Sequence, residues 1–271
     1  MEQGTNNSKL SLFIAEFAGT AIFFVGIFFT ALYQTDPLTT AFGVGGGLFV
    51  AIMTFGKETG GHFNPAVSTG YFFFFVKEKK RYLKNYCILI ISQILGGLFA
   101  GLLLYICSAK EPTLLPEQDN ILGSVLNEII FTFVFLLVIF CVKSRYTAHT
   151  KDGVLGALTV SMTLAFCVIY GGKISGGCYN PAVGLALNLW SALVNQNVDY
   201  LEYLYLYILS PLAGGIISGA IVKFYLNKRI LDALVEDLEA KKSKDQFFLE
   251  EEDYSRSGLT QDQSNAATPV Q

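Results

Sequence analysis

One tripeptide occurs twice in the chain, as Asn64-Pro65-Ala66 and as Asn180-Pro181-Ala182. Asparagine is a strong helix N-cap, because its side-chain oxygen accepts a backbone N–H that the first turn leaves unpaired. Proline suits the first helical position, where its missing N–H is no loss. Each tripeptide therefore predicts a helix start, over about 65–76 and 181–194. A helix start concentrates unpaired N–H groups and roughly half a positive charge. The side-chain amides of Asn64 and Asn180 would stay free to donate to a passing oxygen. Before them stand Gly60, Gly61, His62 and Phe63, and Gly176, Gly177, Cys178 and Tyr179, whose carbonyls would supply acceptors. The chemistry expected is hydrogen bonding to a small neutral molecule with cations repelled.

The elements that must carry these tripeptides are membrane helices. Of 271 residues, 52% are hydrophobic and only 15% charged, whereas soluble domains carry about 25% charged residues. A spanning helix needs ~20 mainly apolar residues. Six stretches qualify: about 10–33, 39–56, 85–108, 121–142, 153–171 and 200–226. The two stretches that open with Asn-Pro-Ala are too short to span. Irregular backbone at membrane depth is tolerated only where it is buried or lines a cavity. The glycine-rich segments 56–63 and 171–179 are therefore expected to line something wet.

The chain repeats itself. Glu16 lies in AEFAGT and Glu128 in NEIIFT; GHFNPAV at 61–67 answers GCYNPAV at 177–183. The third span of each half carries a Gly-x-x-x-Gly pair, Gly97/Gly101 and Gly215/Gly219, a spacing that lets helices approach closely. Three spans per half is an odd number, so the second half inserts inverted, and matching broken segments in an inverted repeat point to a midplane site. The expected fold is an all-α membrane protein with six transmembrane helices and two re-entrant half-helices, its halves about 10–108 and 121–226. Lys77, Lys79, Lys80, Arg81, Lys84, Lys143, Arg145, Lys151, Lys223, Lys228 and Arg229 fall on one side of such a topology. By the positive-inside rule that side, with residues 1–9 and both termini, is cytoplasmic. The first apolar run lacks a basic leader and a cleavage site, so it reads as a retained helix. The tail 227–271 is expected to hold an amphipathic helix (Ile230, Leu231, Leu234, Val235, Leu238) and then an acidic, disordered end.

Other function classes find little footing. A net charge of −3 supplies no basic field for nucleic acid. Two histidines and five scattered cysteines (Cys87, Cys107, Cys141, Cys167, Cys178) show no metal-ligand spacing. No nucleophile elbow, phosphate loop or acid/base cluster is visible, so neither a cofactor, a metal nor enzymatic activity is expected.

With these motifs in place, the chain resembles the major intrinsic protein family, the aquaporins and glycerol facilitators. The resemblance covers about residues 10–226 and rests on AEFAGT at 15–20, GHFNPAV at 61–67, Gln93 with Gly96, Glu128, GCYNPAV at 177–183, and Ser210-Pro211 with Gly214. It implies one pore per protomer, a homotetramer in the lipid bilayer, and passive flow of water or small neutral solutes with no cofactor. It also implies that Glu16 and Glu128 brace the re-entrant loops, in keeping with the cost of an intramembrane acid.

The chain departs from the family pattern at its constriction. Counting from the two asparagines places the four constriction positions at Val44, Val168, Gly177 and Val183. Water-selective members resemble one another in having an aromatic, a histidine, a small residue and an arginine there. Glycerol facilitators follow the arginine with aspartate, where this chain has Gly184. The resemblance thus implies a wider, apolar gate without a fixed cation, weaker ion exclusion, and an open substrate choice among water, ammonia, urea, hydrogen peroxide and glycerol. A structural or junctional membrane protein with a poorly conducting pore is the alternative, kept alive by the valines. Cys178 reads either as a thiol facing the protein or as a pore-wall target for mercurials. His62 reads as hydrogen-bonded scaffold or as a pH-sensitive group at the cytoplasmic mouth.

Overall fold

The computed structural model describes residues 8–33, 36–110, 112–144, 146–239 and 241–242. Short polar residues start its helices. Ser8 caps α1 (Lys9–Leu32) by accepting from Ser11 N at 3.1 Å. Asp36 caps α2 (Pro37–Thr59), accepting from Leu38 N and Thr39 N at 3.0 and 3.1 Å and from the Thr39 hydroxyl. Those bonds, the hydroxyl's foremost, hold the Asp36 carboxyl below its usual range. Asn120 caps α5 (Ile121–Lys143) and Asp152 caps α6 (Gly153–Ser175). The remaining long helices are α4 (Lys79–Ser108) and α8 (Leu204–Ala220), the latter running on into a π-helical stretch, Ile221–Leu226. The short ones are α3 (Pro65–Phe74) and α7 (Pro181–Asn195).

Among the described residues six helical runs are long and apolar enough to cross a membrane. Polarity is inverted relative to a soluble fold. Ile14, Ile106, Leu122, Ile130 and Leu209 are exposed, whereas Glu16, Gln93, Glu128, Asn64 and Asn180 are buried. That distribution suits a bilayer, where an outward polar group would lose its hydrogen bonds.

Two α2–α6 boundaries differ from the sequence expectation. Both helices continue past residues 56 and 171, to Thr59 and Ser175, and stop at Gly60 and Gly176 with φ of 86° and 88°. Left-handed backbone is inexpensive only for glycine, so the first glycine able to take it ends each helix. The sixth span also starts late, because Val198–Leu201 forms a separate 3₁₀ turn before α8.

The packing repeats between halves. α1 lies against α2 and α4 as α5 lies against α6 and α8, and each short helix sits between α4 and α8. The Gly-x-x-x-Gly pairs mark those seats. Gly97 and Gly101 face Ala186 and Trp190 of α7, and Gly215 and Gly219 face Ala66 and Phe74 of α3. A Cβ on Gly215 would stand 2.8 Å from the Ala66 carbonyl oxygen, so only glycine permits that approach. The described residues up to Leu226 form one compact unit, and those from Asn227 on belong to a second. In the second, 227–239 is helical with Leu231, Leu234, Val235 and Leu238 exposed. The disorder expected beyond Lys241 falls largely outside the described residues.

Candidate functional site

Each Asn-Pro-Ala starts its short helix inside the bundle. Asn64 Oδ1 accepts from Ala66 N at 2.8 Å and Asn180 Oδ1 from Ala182 N at 3.0 Å. The amides then reach across. Asn64 Nδ2 donates to Tyr179 O at 2.9 Å, and Asn180 Nδ2 donates to Phe63 O at 3.0 Å. The sequence suggested amides left free for a passing oxygen; instead each gives one N–H to the opposite loop and retains one. An unpaired buried donor costs about 1–3 kcal/mol, which favours that use. The carbonyl row is altered too: Phe63 and Tyr179 accept these bonds, and Gly60 O accepts from Lys143 Nζ at 2.5 Å.

The loops before the asparagines are tightly curled. Gly60, Gly61 and Phe63 have φ of 86°, 63° and 47°; Gly176, Gly177 and Tyr179 have 88°, 70° and 49°. A left-handed aromatic is strained by roughly 1–3 kcal/mol and persists only when its surroundings hold it. Buried carboxylates do so. Glu16 Oε1 accepts from Phe63 N at 2.5 Å and from Gln93 Nε2 at 2.8 Å. Glu128 Oε1 accepts from Cys178 N at 2.9 Å and Ser175 Oγ at 2.6 Å, and its Oε2 accepts from Tyr179 N at 2.7 Å. Gln93 also donates to Ser68 Oγ at 2.8 Å. On the second loop, the Tyr179 hydroxyl donates to Cys167 O at 3.1 Å and the Tyr207 hydroxyl to Ser175 O at 2.7 Å. His62 is buried, its Nδ1 3.1 Å from Ser68 Oγ and its ring 5.2 Å from that of Tyr71.

Val44, Val168, Gly177 and Val183 come together on one cavity of about 140 Å³, which Asn64, Asn180 and Cys178 also line. The Cys178 Sγ donates to Asn180 O at 3.0 Å. Sequence reasoning missed further lining residues: Phe23, Ile27 and Ala31 on α1, Leu164 on α6, Leu187 on α7, and Leu114 of the 109–120 loop. Most pair with a neighbour four residues away (Phe23/Ile27/Ala31, Leu164/Val168, Val183/Leu187), the spacing of one helix face. That signal was present, but an apolar pore face and an apolar lipid face read alike. Leu114 had no signal; it lies over Gly176, where a Cβ would collide with its Cδ1. Among the described residues no three His, Cys, Asp or Glu side chains cluster as metal ligands.

A family model described as "Major intrinsic protein" matches residues 4–222. The chain belongs to the major intrinsic protein family. Members of that family are channels rather than enzymes. This major intrinsic protein is 29% identical over 215 residues to "Glycerol uptake facilitator protein-like 6" of Lactiplantibacillus plantarum, covering 76% of this chain and 94% of the relative. It is 27% identical to "Aquaporin-8" of Notomys alexis, covering 79% and 81%. To "Aquaporin NIP1-2" of Arabidopsis thaliana it is 32% identical, covering 78% and 72%. Its fold superposes on the aquaglyceroporin from Plasmodium falciparum with a TM-score of 0.72 at 22% identity, over 82% of this chain and 99% of the other. With that family and six spanning helices, it is an integral, multi-pass membrane protein.

Proposed function

We propose that this family member is a passive channel for water and small uncharged solutes. Its path runs past the Asn64 and Asn180 amides and between Val44, Val168, Gly177 and Val183. The reading is carried by one observation: two reciprocally bonded half-helix tips open onto the cavity those four residues line. Each amide keeps one N–H for a passing oxygen, and the two helix starts add their positive ends to repel cations. The valines offer no hydrogen bond, so a solute crosses them on its own hydration. The candidates alongside water are small neutral molecules: ammonia, urea, hydrogen peroxide and glycerol. The names of the similar proteins, a glycerol uptake facilitator and aquaporins, support this class.

Both termini are cytoplasmic in this reading, from the lysine and arginine bias. The assembly is a homotetramer with one pore per protomer, as the family resemblance implies. Stopped-flow light scattering on proteoliposomes is the test, comparing water, glycerol, urea and ammonia. Flux above empty vesicles for at least one solute is expected. No flux for any of them would overturn the reading and favour a structural membrane protein.

A further inference from the structure

We propose that Lys143 is the fixed cation of the conduit, placed at the mouth opposite the valine cavity, where it sets ion exclusion. The proposal deepens the channel reading and rests on it. Lys143 is the last residue of α5, and its Nζ reaches the Gly60 carbonyl at 2.5 Å, across 83 residues of sequence. Gly60 opens the curled loop that ends at Asn64, so the ammonium stands on the backbone wall of the first half-helix's approach.

The internal repeat places the same point independently. Lys143 lies fifteen residues after Glu128, and Ala31 lies fifteen residues after Glu16. Glu16 and Glu128 are equivalent, since each accepts from the backbone of the curled loop in its own half. Ala31 lines the valine cavity. The inverted equivalent of a residue lining one mouth lines the other. The small, neutral member of the pair is at the valine end and the charged member is at the opposite end.

Among the described residues the ammonium forms no direct ion pair with a carboxylate. Lys143 takes a neutral carbonyl as partner, and the ion pairs among the described residues are Arg81–Glu78 and Lys241–Asp237. Glu16 and His62 are the titratable groups that face it. The Glu16 Oε1 accepts from Phe63 N and Gln93 Nε2, its Oε2 lies outside those bonds, and His62 bonds Ser68, so the carboxylate attracts the ammonium without closing an ion pair on it. An ammonium has three donors, of which Gly60 O takes one. In this proposal the other two face water in the mouth of the passage, the condition under which a half-buried charge is tolerable. A cation entering from that side meets a like charge before it reaches the half-helix tips, in a setting far less polarisable than bulk water. A neutral solute meets a hydrogen-bond donor instead.

The experiment uses the full chain in proteoliposomes, with water flux by light scattering and proton and potassium leak by entrapped dyes. Lys143→Met is expected to raise the ratio of cation to water permeability about tenfold, and Lys143→Arg to preserve it. Lys143→Cys treated with aminoethyl methanethiosulfonate regains a positive charge and is expected to regain exclusion. The neutral methyl reagent is expected not to restore it, with the identically treated parent chain as control for its other cysteines. A merely structural lysine would not be rescued by charge alone. If Met, Cys and both adducts show the parent's ratio, the proposal is overturned. If the parent itself passes neither water nor any neutral solute, the channel reading fails first, and that outcome is visible before any variant is compared.

Discussion

Asn64 and Asn180 are tied to each other's loops, each amide donating to the carbonyl of the residue just before the other, Tyr179 at 2.9 Å and Phe63 at 3.0 Å. Asn180→Asp keeps the oxygen that caps α7 and removes the donor. It leaves an oxygen facing the Phe63 carbonyl, a loss of about 1–3 kcal/mol. It also places negative charge between two positive helix ends. Water permeability per copy is expected to fall at least roughly tenfold and proton leak to rise, by proteoliposome swelling and dye assays. Flux within twofold of the parent would show that the cross-bond does not shape the path.

The two bracing acids should respond unequally to amide substitution. Glu128 uses both oxygens on backbone donors, Cys178 N and Tyr179 N. Glutamine would turn one of those oxygens into a donor facing a donor. Glu16 uses one oxygen for both Phe63 N and Gln93, which glutamine retains. Glu128→Gln is expected to destabilise the fold by about 2–4 kcal/mol and Glu16→Gln by clearly less. Thermal unfolding in detergent measures the difference; equal losses would contradict the geometry.

At the seat of α3, Gly215 has no room for a side chain, with the Ala66 carbonyl oxygen 2.8 Å and a Leu136 methyl 2.9 Å from where its Cβ would be. Gly215→Val should cost about 1–3 kcal/mol or more by overpacking. It should also lower solute flux, since α3 carries Asn64 at its start. An expressed, stable variant with full flux would argue against this seat.

Adding Val183→Arg to the valine cavity introduces a cation and five donors into about 140 Å³. Urea and glycerol permeability should drop several-fold relative to water, in paired stopped-flow traces. If every permeability is unchanged, Val183 does not stand in the path.

Cys178 lines the same cavity. Mercuric ions should therefore reduce flux, and Cys178→Ser should resist them. Equal inhibition of both would move the mercurial site elsewhere.

Helix positions were legible because apolar length and Asn-Pro caps are local signals. The predicted spans match α1, α4 and α5 within a few residues, apart from the early start of α4 at Lys79. What is non-local was hidden. Nothing in Gly-Gly-His-Phe says that Phe63 adopts φ 47°, since aromatics avoid that region; a glutamate 47 residues earlier imposes it. The lysine at 143 read as an orientation signal because its carbonyl partner is fixed only by the folded bundle. Leu114 carried no local signal for the same reason.

The seating of α3 against α8 also has a consequence for biogenesis. Synthesis delivers residues 65–74 to the bilayer well before 204–220 leave the ribosome. The partner carbonyl at Tyr179 arrives only with the second half, and until α8 follows it the first re-entrant segment lacks one wall of its socket. The nascent first half must therefore wait, with the Asn64 Nδ2 lacking its cross-half acceptor, for the second half to lock it in place, so maturation of the conduit is a late event coupled to insertion of the final span.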